Sequence, residues 1–331
     1  MEKKTRFQVT LALFFLAVLP LLLFSESAAG VSLAKNAVLS AENAVSLAEN
    51  SENSDQQNSS KTGAATTGAE SYFIYNIRSK SVLASQNQDI PRAPASTTKL
   101  LTGLVAAAAL NLDDVITVGA EVDIEGSRLG LAAGDQISVR NLLTAVYVSS
   151  ANDAAAALAV ETSGSVAAFA EVMNSYAAKL GCTQSHFTNP HGLPDSAHVS
   201  SAGDMAKIAL AFIGNDTLLA LVQMKNAVIE WQNKSGQLRS IQVSNSNKLL
   251  GVYPGVAGLK TGTTTEAGQC LISYFRYQDG EALLVLLGAK QRYQTMIPLL
   301  DQTLTAEILP ESALSGLAKE RKTLFELPGM Y

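Results

Sequence analysis

A sixteen-residue stretch, TTKLLTGLVAAAALNL at 97–112, is apolar on nearly every side when it is drawn as a helix. Such a helix must lie inside a domain, because a side facing water would leave apolar surface exposed. The chain has 331 residues and 47% of them are hydrophobic, so it can enclose this helix in one large domain or in two modest ones. The sequence therefore predicts a buried helix with a sizeable core around it.

Strand-like and helix-like patterns occur in blocks on either side of that helix. The stretch SYFIYNIRSKSVLASQ has two runs rich in Tyr, Phe, Ile and Val, at 71–77 and 81–84, and the polar RSK between them predicts a β-hairpin. A closing helix is predicted at about 291–308, started or kinked by Pro298. The order of strands, helices, strands and helix predicts an α/β chain of the α+β type, with an antiparallel sheet whose first and last elements meet and a helical insertion between them. The other predicted helices are 138–149, 153–162, 165–180 and 201–213, and the other predicted strands are 225–232, 237–244, 268–277 and 281–288.

Residues 1–29 have the pattern of an export signal. Lys3, Lys4 and Arg6 make a positive start, an apolar run follows at 7–24, and the small residues of SESAAG favour cleavage after Ala29. The alternative is an uncleaved membrane anchor, since the apolar run is just long enough to span a bilayer. Both interpretations predict an extracytoplasmic protein, which is secreted, in the cell wall or periplasm, or tethered to the membrane at its N-terminus.

The segment between this signal and the first strand is poor in large apolar residues. Residues 32–53 carry a weak seven-residue repeat, and SDQQNSSKTGAATTGAE at 54–70 cannot bury enough surface to order itself. We therefore expect a low-complexity linker or stalk. The predicted organisation is a signal or anchor at 1–29, the linker at 30–70, one domain at 71–306 with a helical subdomain at about 113–215, and a short tail at 307–331 without a C-terminal β domain.

Charge and cysteine content narrow the range of partners and of folds. The net charge is -5 and no long run of Lys or Arg follows residue 6, so we expect no nucleic-acid partner. An anionic substrate would therefore need a local cationic pocket. Cys182 and Cys270 can form one disulfide at most, and because both lie in apolar settings we predict two buried free thiols.

Ser96 and Lys99 stand at the start of the buried helix, in the setting PRAPASTTKLLTGL. Lys99 lies one turn along the same helix face as Ser96. A serine hydroxyl becomes a good nucleophile when a base removes its proton, and a lysine whose pKa is lowered by burial or by a nearby cation can be that base. The alternative is a helix-capping serine beside a solvated lysine, but the apolar surroundings of Lys99 argue against a solvated side chain.

Ser150 and Asn152 interrupt a helical apolar run in AVYVSSANDAAAALAV. One interpretation is that Asn152 caps the next helix, with Asp153 in its first turn. The other places both side chains on a short loop facing Ser96, where Ser150 can relay a proton to a leaving amine and Asn152 can orient Lys99 and bind a substrate amide. The two interpretations are compatible.

Lys260, Thr261 and Gly262 precede a strong strand pattern in GVAGLKTGTTTEAGQCLISYF. A lysine and a hydroxyl side by side at a strand edge can hold a substrate carboxylate, and Gly262, which lacks a Cβ, lets the substrate backbone approach closely. The N–H groups of Thr263 and Ser96 can together stabilise an oxyanion, while the charge of Lys260 favours the neutral form of a nearby lysine. The alternative is a surface turn with a solvated lysine.

The same three types of motif also occur in the predicted linker. SLAK, SEN and KTG appear there in the same order, between residues 32 and 63. Because that segment has no core to hold three groups together, we attribute the first set to its composition. Several predicted helices separate the members of the second set, and the folding of these helices can bring the three motifs together.

Together these motifs resemble the penicillin-recognising serine acyl-transferases, which include penicillin-binding proteins and serine β-lactamases. The strings PASTTKLLT, SSANDAA, FTNPHGL and LKTGTTTEAGQCL are similar to those of the D-alanyl-D-alanine carboxypeptidases among the low-molecular-mass penicillin-binding proteins. The resemblance covers about residues 70–305. It implies a β-lactamase/transpeptidase-like fold, in which a five-stranded antiparallel sheet covered by helices lies beside an all-helical subdomain, with the site between them.

The resemblance also implies a reaction and its site residues. Ser96 would attack the carbonyl between the two D-alanines of a peptidoglycan stem peptide, the terminal D-alanine would leave, and water would free the acyl-enzyme. Penicillins and other β-lactams would acylate the same serine, and no metal or organic cofactor is implied. The expected catalytic residues are Ser96, Lys99, Ser150 and Asn152, and the expected substrate-binding residues are Lys260, Thr261, Gly262 and Thr263.

Several different functions compete with this one. His186, His191 and His198 fall close together, but their spacing suits no common zinc pattern, and we expect no metal site. A serine β-lactamase of the efficient class A type would carry a Glu in an E-x-x-L-N setting, and no such string lies between Asn152 and Lys260. A D,D-endopeptidase is a further alternative. Another is a non-catalytic, penicillin-sensing cell-wall binding module, but the intact set of Ser96, Lys99, Ser150, Asn152 and Lys260 argues against it.

Overall fold

The computed structural model describes residues 68–303, 308–309, 313 and 315–316. In chain order the strands are β1 (Ser71–Asn76), β2 (Ser81–Gln86), β3 (Val115–Thr117), β4 (Gln136–Ser138), β5 (Asn226–Gln232), β6 (Leu238–Ser244), β7 (Val256–Thr264), β8 (Gly268–Tyr277) and β9 (Gly280–Ala289). The α-helices are α1 (Lys99–Ala109), α2 (Val139–Val148), α3 (Asn152–Ser163), α4 (Val166–Lys179), α5 (Ala202–Ile213), α6 (Asp216–Val222) and α7 (Arg292–Thr303).

Several predictions concern residues outside this description. The predicted signal or anchor at 1–29, nearly all of the predicted linker at 30–70 and most of the tail at 307–331 lie outside the described residues. The first KTG copy, at 61–63, lies outside them as well.

The larger sheet is five-stranded and antiparallel, with strand order β2-β1-β9-β8-β7. The first strand of the domain pairs with the last, in a register that sets Phe73 opposite Val285. This confirms the predicted meeting of the first and last elements. Strand β7, which carries the second KTG, lies at one edge of the sheet.

Strand β9 shows why helices cover the sheet on both faces. Its sequence, GEALLVLLGA, is apolar at nearly every position, as expected for a central strand buried on both sides. Because side chains alternate between faces, Leu283 and Val285 join a core with α1 and α5, whereas Leu284 and Leu286 join a second core with α7.

The four-stranded sheet β3-β4-β5-β6 was not expected. Strands β5 and β6 were predicted as strands, but they pair with β4 and with each other rather than with the larger sheet. Strands β3 and β4 have three residues each, which is too short for an alternating pattern to stand out. The expected subdomain of helices therefore carries two short strands in addition.

Helix α1 lies in the core, and it is shorter than the predicted 97–112 because the first turn has 3-10 geometry at Ala95–Thr98. Leu100 and Leu101 are fully buried. Gly103 makes room for a tyrosine of α2, since a Cβ there would lie 1.5 Å from the hydroxyl oxygen of Tyr147. That close packing places the C-terminal end of α2 beside the start of α1.

The cysteines and the hydropathy of the helices complete the description of the fold. Cys182 and Cys270 are free thiols, as predicted, but only Cys270 is buried and Cys182 is half-buried. Among the described residues no single helix is both long and apolar enough to cross a bilayer. The pairs α3–α4 and α5–α6 reach that length and hydropathy only together, with bends of 83° and 107°.

Candidate active site

Ser96 lies in the 3-10 turn that leads into α1, and its side chain is half-buried. The preceding residue, Ala95, has a φ of 48°, a conformation that a residue with a Cβ adopts at an energetic cost. Thr97 holds the turn, because its hydroxyl donates to the carbonyl oxygen of Pro94 at 2.6 Å. The serine is thus held by a strained but closely packed turn rather than by a flexible loop.

Lys99 is completely buried and forms the centre of the site. Its Nζ lies 2.9 Å from Ser96 Oγ, 2.8 Å from Asn152 Oδ1 and 2.7 Å from the carbonyl oxygen of His191. These three oxygens fix the amine against the serine hydroxyl, within the range for proton transfer. The alternative of a solvated lysine at this position is wrong.

The surroundings of Lys99 favour its neutral form. Burial lowers the pKa of Lys99 well below its ordinary value, and the positive charge of Lys260 lowers it further. The carboxylate of Asp153 opposes them by raising the pKa. A neutral amine at this position can accept the proton of Ser96.

Asn152 is the first residue of α3, and its side chain does not cap the helix. While Oδ1 accepts from Lys99, Nδ2 donates to the carbonyl oxygen of Glu125 at 2.7 Å. Ser150, two residues earlier, is buried on the loop between α2 and α3 and has a φ of 63°. Asn152 therefore contacts Lys99, as the second interpretation of this motif expected, although it does so from the start of α3 and not from the loop.

Asp153 is a buried residue whose part in the site the sequence did not reveal. Its carboxylate accepts from the backbone N–H groups of Leu129, Gly130 and Leu131 at 2.8–3.1 Å. These bonds fasten the segment 125–131 to the start of α3, next to Asn152. Sequence alone suggested only a favourable acid in the first turn of a helix.

The KTG motif lies on the edge strand β7, and its lysine is buried. Lys260 is 1% exposed, and its Nζ donates to the carbonyl oxygen of Thr261 at 3.0 Å. Burial, together with the charge of Arg292, lowers the pKa of Lys260 to about 7. The alternative of a surface turn with a solvated lysine is therefore wrong for this motif.

Gly262 lies against the turn that carries Ser96. A Cβ on Gly262 would be 2.8 Å from the backbone N of Ser96 and 3.1 Å from the carbonyl oxygen of Pro94. The glycine thus lets the protein's own backbone approach β7, a reason that differs from the expected approach of a substrate. This contact brings the backbone of Ser96 alongside that of β7 next to Thr263.

Arg292, at the start of α7, is a second residue that sequence reasoning missed. Its guanidinium donates to the hydroxyl of Thr263, to Gln269 Oε1 at 3.2 Å and to the carbonyl oxygen of Cys270 at 2.9 Å. It thereby adds a positive charge beside Lys260. No spacing rule links Arg292 to the motif, because the pairing of β7, β8 and β9 brings it there.

The loop that contains the histidines forms the wall behind Ser96 and Lys99. Its contribution to the site is the backbone carbonyl of His191, and Gly192 packs so closely that a Cβ would lie 1.9 Å from the carbonyl oxygen of Ala95. His198 Nε2 hydrogen-bonds the hydroxyl of Thr98 at 2.8 Å. In the described part of the chain, no group of three His, Cys, Asp or Glu side chains is arranged to hold a metal ion.

The assembled site has two chemical halves. One half presents a serine hydroxyl with a buried amine as its base, and the other presents Lys260, Thr261 and Arg292 beside an edge strand. The first half suits nucleophilic attack on a carbonyl, and the second suits an anionic group of an extended substrate.

Known proteins are similar to this chain in both sequence and architecture. Residues 55–291 match the family model of the D-alanyl-D-alanine carboxypeptidases, peptidase family S11. DacF of Bacillus subtilis (strain 168) is 31% identical over 255 residues, which is 74% of this chain and 64% of that protein. DacC of Escherichia coli (strain K12) is 35% identical over 240 residues, which is 69% of this chain and 58% of that protein. Both relatives are named as D-alanyl-D-alanine carboxypeptidases.

A solved structure agrees with these matches. The crystal structure of the Streptomyces K15 DD-transpeptidase superposes with a TM-score of 0.66 and 27% identity, covering 80% of this chain and all of that one. The chain itself spans 64% and 58% of the lengths of DacF and DacC. The family match covers well over half of the chain, with the Ser96, Asn152 and Lys260 motifs inside it, and the chain therefore belongs to the D-alanyl-D-alanine carboxypeptidase family.

Proposed function

We propose that this protein is a serine D-alanyl-D-alanine carboxypeptidase that removes the terminal D-alanine from peptidoglycan stem pentapeptides. The observation that carries this proposal is Lys99, a fully buried amine held 2.9 Å from the hydroxyl of Ser96. Family membership supports the substrate class, because the relatives are named for this activity.

Acylation follows from the placement of Ser96 and Lys99. The neutral amine of Lys99 takes the hydroxyl proton as Oγ attacks the carbonyl carbon of the penultimate D-alanine. The N–H groups of Ser96 and Thr263 stabilise the resulting oxyanion. When the C–N bond breaks, the proton passes through Ser150 to the amine of the departing D-alanine.

Deacylation uses the same groups in reverse. A water molecule gives its proton to Lys99 and attacks the ester carbonyl, and Ser96 Oγ leaves with a proton returned from the amine. Asn152 keeps Lys99 in place through both steps, since its Oδ1 accepts from Nζ at 2.8 Å. In this mechanism no step needs a metal or an organic cofactor.

Substrate binding falls to the edge strand β7. Lys260 and the hydroxyl of Thr261 hold the terminal carboxylate, and Arg292 adds charge next to them. This is the local cationic pocket that an acidic protein needs for an anionic substrate. The peptide backbone extends along β7, adding to the free edge of the sheet. β-Lactams acylate Ser96 because they present a reactive carbonyl and a carboxylate in the same arrangement.

A labelled penicillin and a D-Ala-D-Ala pentapeptide test this proposal on the purified protein. The wild-type protein should form a covalent adduct and release D-alanine, the Ser96→Ala variant should do neither, and the exposed control Ser175→Ala should match wild type. A wild-type protein that does neither would show that the enzymatic function is wrong. Labelling of Ser96→Ala would show another nucleophile, and rapid penicillin turnover without a lasting adduct would indicate a β-lactamase.

We also infer that the protein acts outside the cytoplasm. The positive start and the apolar run at 7–24 support this, and peptidoglycan lies on that side of the membrane. N-terminal sequencing of the protein from its host decides between a cleaved export signal and an uncleaved membrane anchor. A mature chain beginning after Ala29 indicates cleavage, and a chain that retains residues 1–29 indicates an anchor.

A further inference from the structure

A cavity of about 520 Å³ lies outside the catalytic cleft, between the loop 129–135 and the end of the β5–β6 hairpin. The hairpin runs past β4, which it meets only where Gln232 pairs with Gln136. Gln232 is the last residue of β5, so the cavity lies at the turn end of the hairpin, next to its pairing with β4. Gly134 closes one side, because a Cβ there would lie only 3.0 Å from the Cβ of Lys234.

Trp231 forms an aromatic wall of this cavity, and its orientation is fixed. Its indole Nε1 donates to Asp135 Oδ2 at 2.9 Å, and the same carboxylate oxygen accepts from the backbone N of Ala132 at 3.0 Å. Asp135 is itself buried, at 4% exposure. A ring held in this way loses little conformational freedom when a ligand packs against it.

Two cations line the same cavity. Arg239 lies directly opposite Trp231 across the β5–β6 pair, and Lys234 belongs to the hairpin turn. Within the described residues neither forms an ion pair, although the chain as a whole is acidic. Their N–H groups are available as donors to oxygen atoms of a ligand.

The cavity adjoins the catalytic residues through one short segment. Leu129 and Gly130 line it, and their backbone N–H groups are bonded to the carboxylate of Asp153. Asp153 follows Asn152, whose side chain contacts Lys99. The segment 125–131 therefore contacts Asn152 at one end and lines the cavity at the other.

We propose that this cavity binds an N-acetylhexosamine ring of the peptidoglycan glycan strand while the attached stem peptide occupies the catalytic cleft. The inference rests on the proposed function, which supplies the substrate class. One face of a pyranose ring carries C–H groups that pack on the indole of Trp231. Its hydroxyl and acetamido oxygens accept hydrogen bonds from Arg239, Lys234 and the amide of Asn233, which also lines the cavity.

Trp231 is the one tryptophan of the chain, so its fluorescence reports directly on this cavity. The full-length Ser96→Ala variant, which cannot consume substrate, is titrated with a soluble disaccharide pentapeptide and with the same pentapeptide lacking sugar. We expect a saturable change in emission with the disaccharide pentapeptide and none with the sugar-free peptide at equal concentration.

Second substitutions in that variant test the donors. Lys234→Ala and Arg239→Ala should each weaken disaccharide-pentapeptide binding about tenfold, as the loss of one hydrogen bond from a charged donor would. Lys179→Ala, which removes an exposed lysine of α4, should leave binding unchanged. Both cavity residues are exposed, so the variants should fold normally.

Two results would overturn the inference: no saturable change with the disaccharide pentapeptide, or an equal change with the sugar-free peptide. The second result would assign the cavity to the acidic peptide rather than to the sugar. Failure of the proposed function has a different signature, the absence of a penicillin adduct on wild-type protein. The fluorescence titration needs no turnover, so the two failures are distinguishable.

Discussion

The two sides of the cleft each bury a lysine, but they surround it differently. Lys99, on the helical side, has three oxygen atoms of the protein within 2.9 Å. Lys260, on the strand side, donates to the carbonyl oxygen of its own neighbour, Thr261, and has the cation Arg292 close by. On the helical side the protein itself supplies the hydrogen-bond partners of the lysine, whereas on the strand side two positively charged side chains lie close together.

A buried cation is costly unless an opposite charge pairs with it, and a bound carboxylate would supply that charge to Lys260. The charge of Lys260 also lowers the pKa of Lys99. In the proposed mechanism each lysine therefore needs its own protonation state: Lys99 neutral as the base for Ser96, and Lys260 charged to hold a carboxylate. The following predictions test that division of roles.

The largest effect is expected from Lys99→Arg. A guanidinium stays protonated in proteins, so it cannot accept the proton of Ser96 as the neutral amine of Lys99 does. The rate of penicillin acylation should fall about 100- to 10,000-fold, the contribution of a positioned base. Stopped-flow or gel measurement of adduct formation checks this, with Lys179→Arg as the matched control. Acylation at near wild-type rate would remove Lys99 from the base role.

Gly262→Ala should have the next largest effect, because it pushes the two sides apart. The new Cβ would meet the backbone N of Ser96 at 2.8 Å and the Cβ of Ala95 at 3.0 Å, so the turn or β7 must shift. A displacement of about 1 Å at reacting groups costs about 100-fold in rate. We expect such a loss in kcat/KM for pentapeptide hydrolysis, with a lower Tm. The control is Ala178→Gly in α4, an exposed one-methyl change that should leave the rate unchanged. Gly130→Ala is unsuitable as a control, because Gly130 has a φ of 97° that alanine adopts only with strain.

Sequence predicted the parts of the site that local pattern encodes. Ser96 and Lys99 could be predicted to lie side by side, because residues three positions apart share one face of a helix. Lys260 could be predicted at a strand edge, because its motif precedes a strong strand pattern. Arg292 was not, since it meets Thr263 from 29 residues away through the pairing of three strands. Asp153 was seen only as a helix-start residue, because its true partners are backbone N–H groups that carry no sequence signature.

The same distinction applies to the fold. The strands that come first and last along the chain in the larger sheet were predicted, at 71–77, 81–84 and 281–288. The smaller sheet was missed because β3 and β4 are three residues long and β4 meets β5 at a single residue pair. Neighbour relations of that kind depend on where the helices place the segments rather than on any repeat in the sequence.

The pH dependence of pentapeptide hydrolysis should separate the two lysines. Activity needs neutral Lys99, so kcat/KM rises as pH increases through its lowered pKa. Activity also needs charged Lys260, so kcat/KM falls as pH increases through about 7. Arg292→Gln removes the cation that lowers the pKa of Lys260, so the falling limb should move to higher pH while KM increases about tenfold, as the loss of a charged donor predicts.

The control for that shift is Arg276→Gln, which removes an arginine whose ion pair with Glu281 lies away from β7's KTG motif. Its profile should match wild type. An Arg292→Gln profile that keeps the wild-type falling limb would contradict the assignment of that limb to Lys260. A shift of the rising limb instead would mean that Arg292 acts chiefly on Lys99.

The smallest effect is expected at Ser246, which joins the two sides of the cleft. Its hydroxyl lies 2.7 Å from Thr261 Oγ1, and its backbone N donates to the carbonyl oxygen of Val148, two residues before Ser150. Ser246→Ala should loosen Thr261, the proposed carboxylate ligand, and leave the Ser96–Lys99 pair untouched. We expect KM to increase about fivefold with kcat nearly unchanged, the effect of one neutral hydrogen bond. Ser175→Ala is the matched control, and a fall in kcat at constant KM would show instead that the contact with Val148 positions the Ser150 loop.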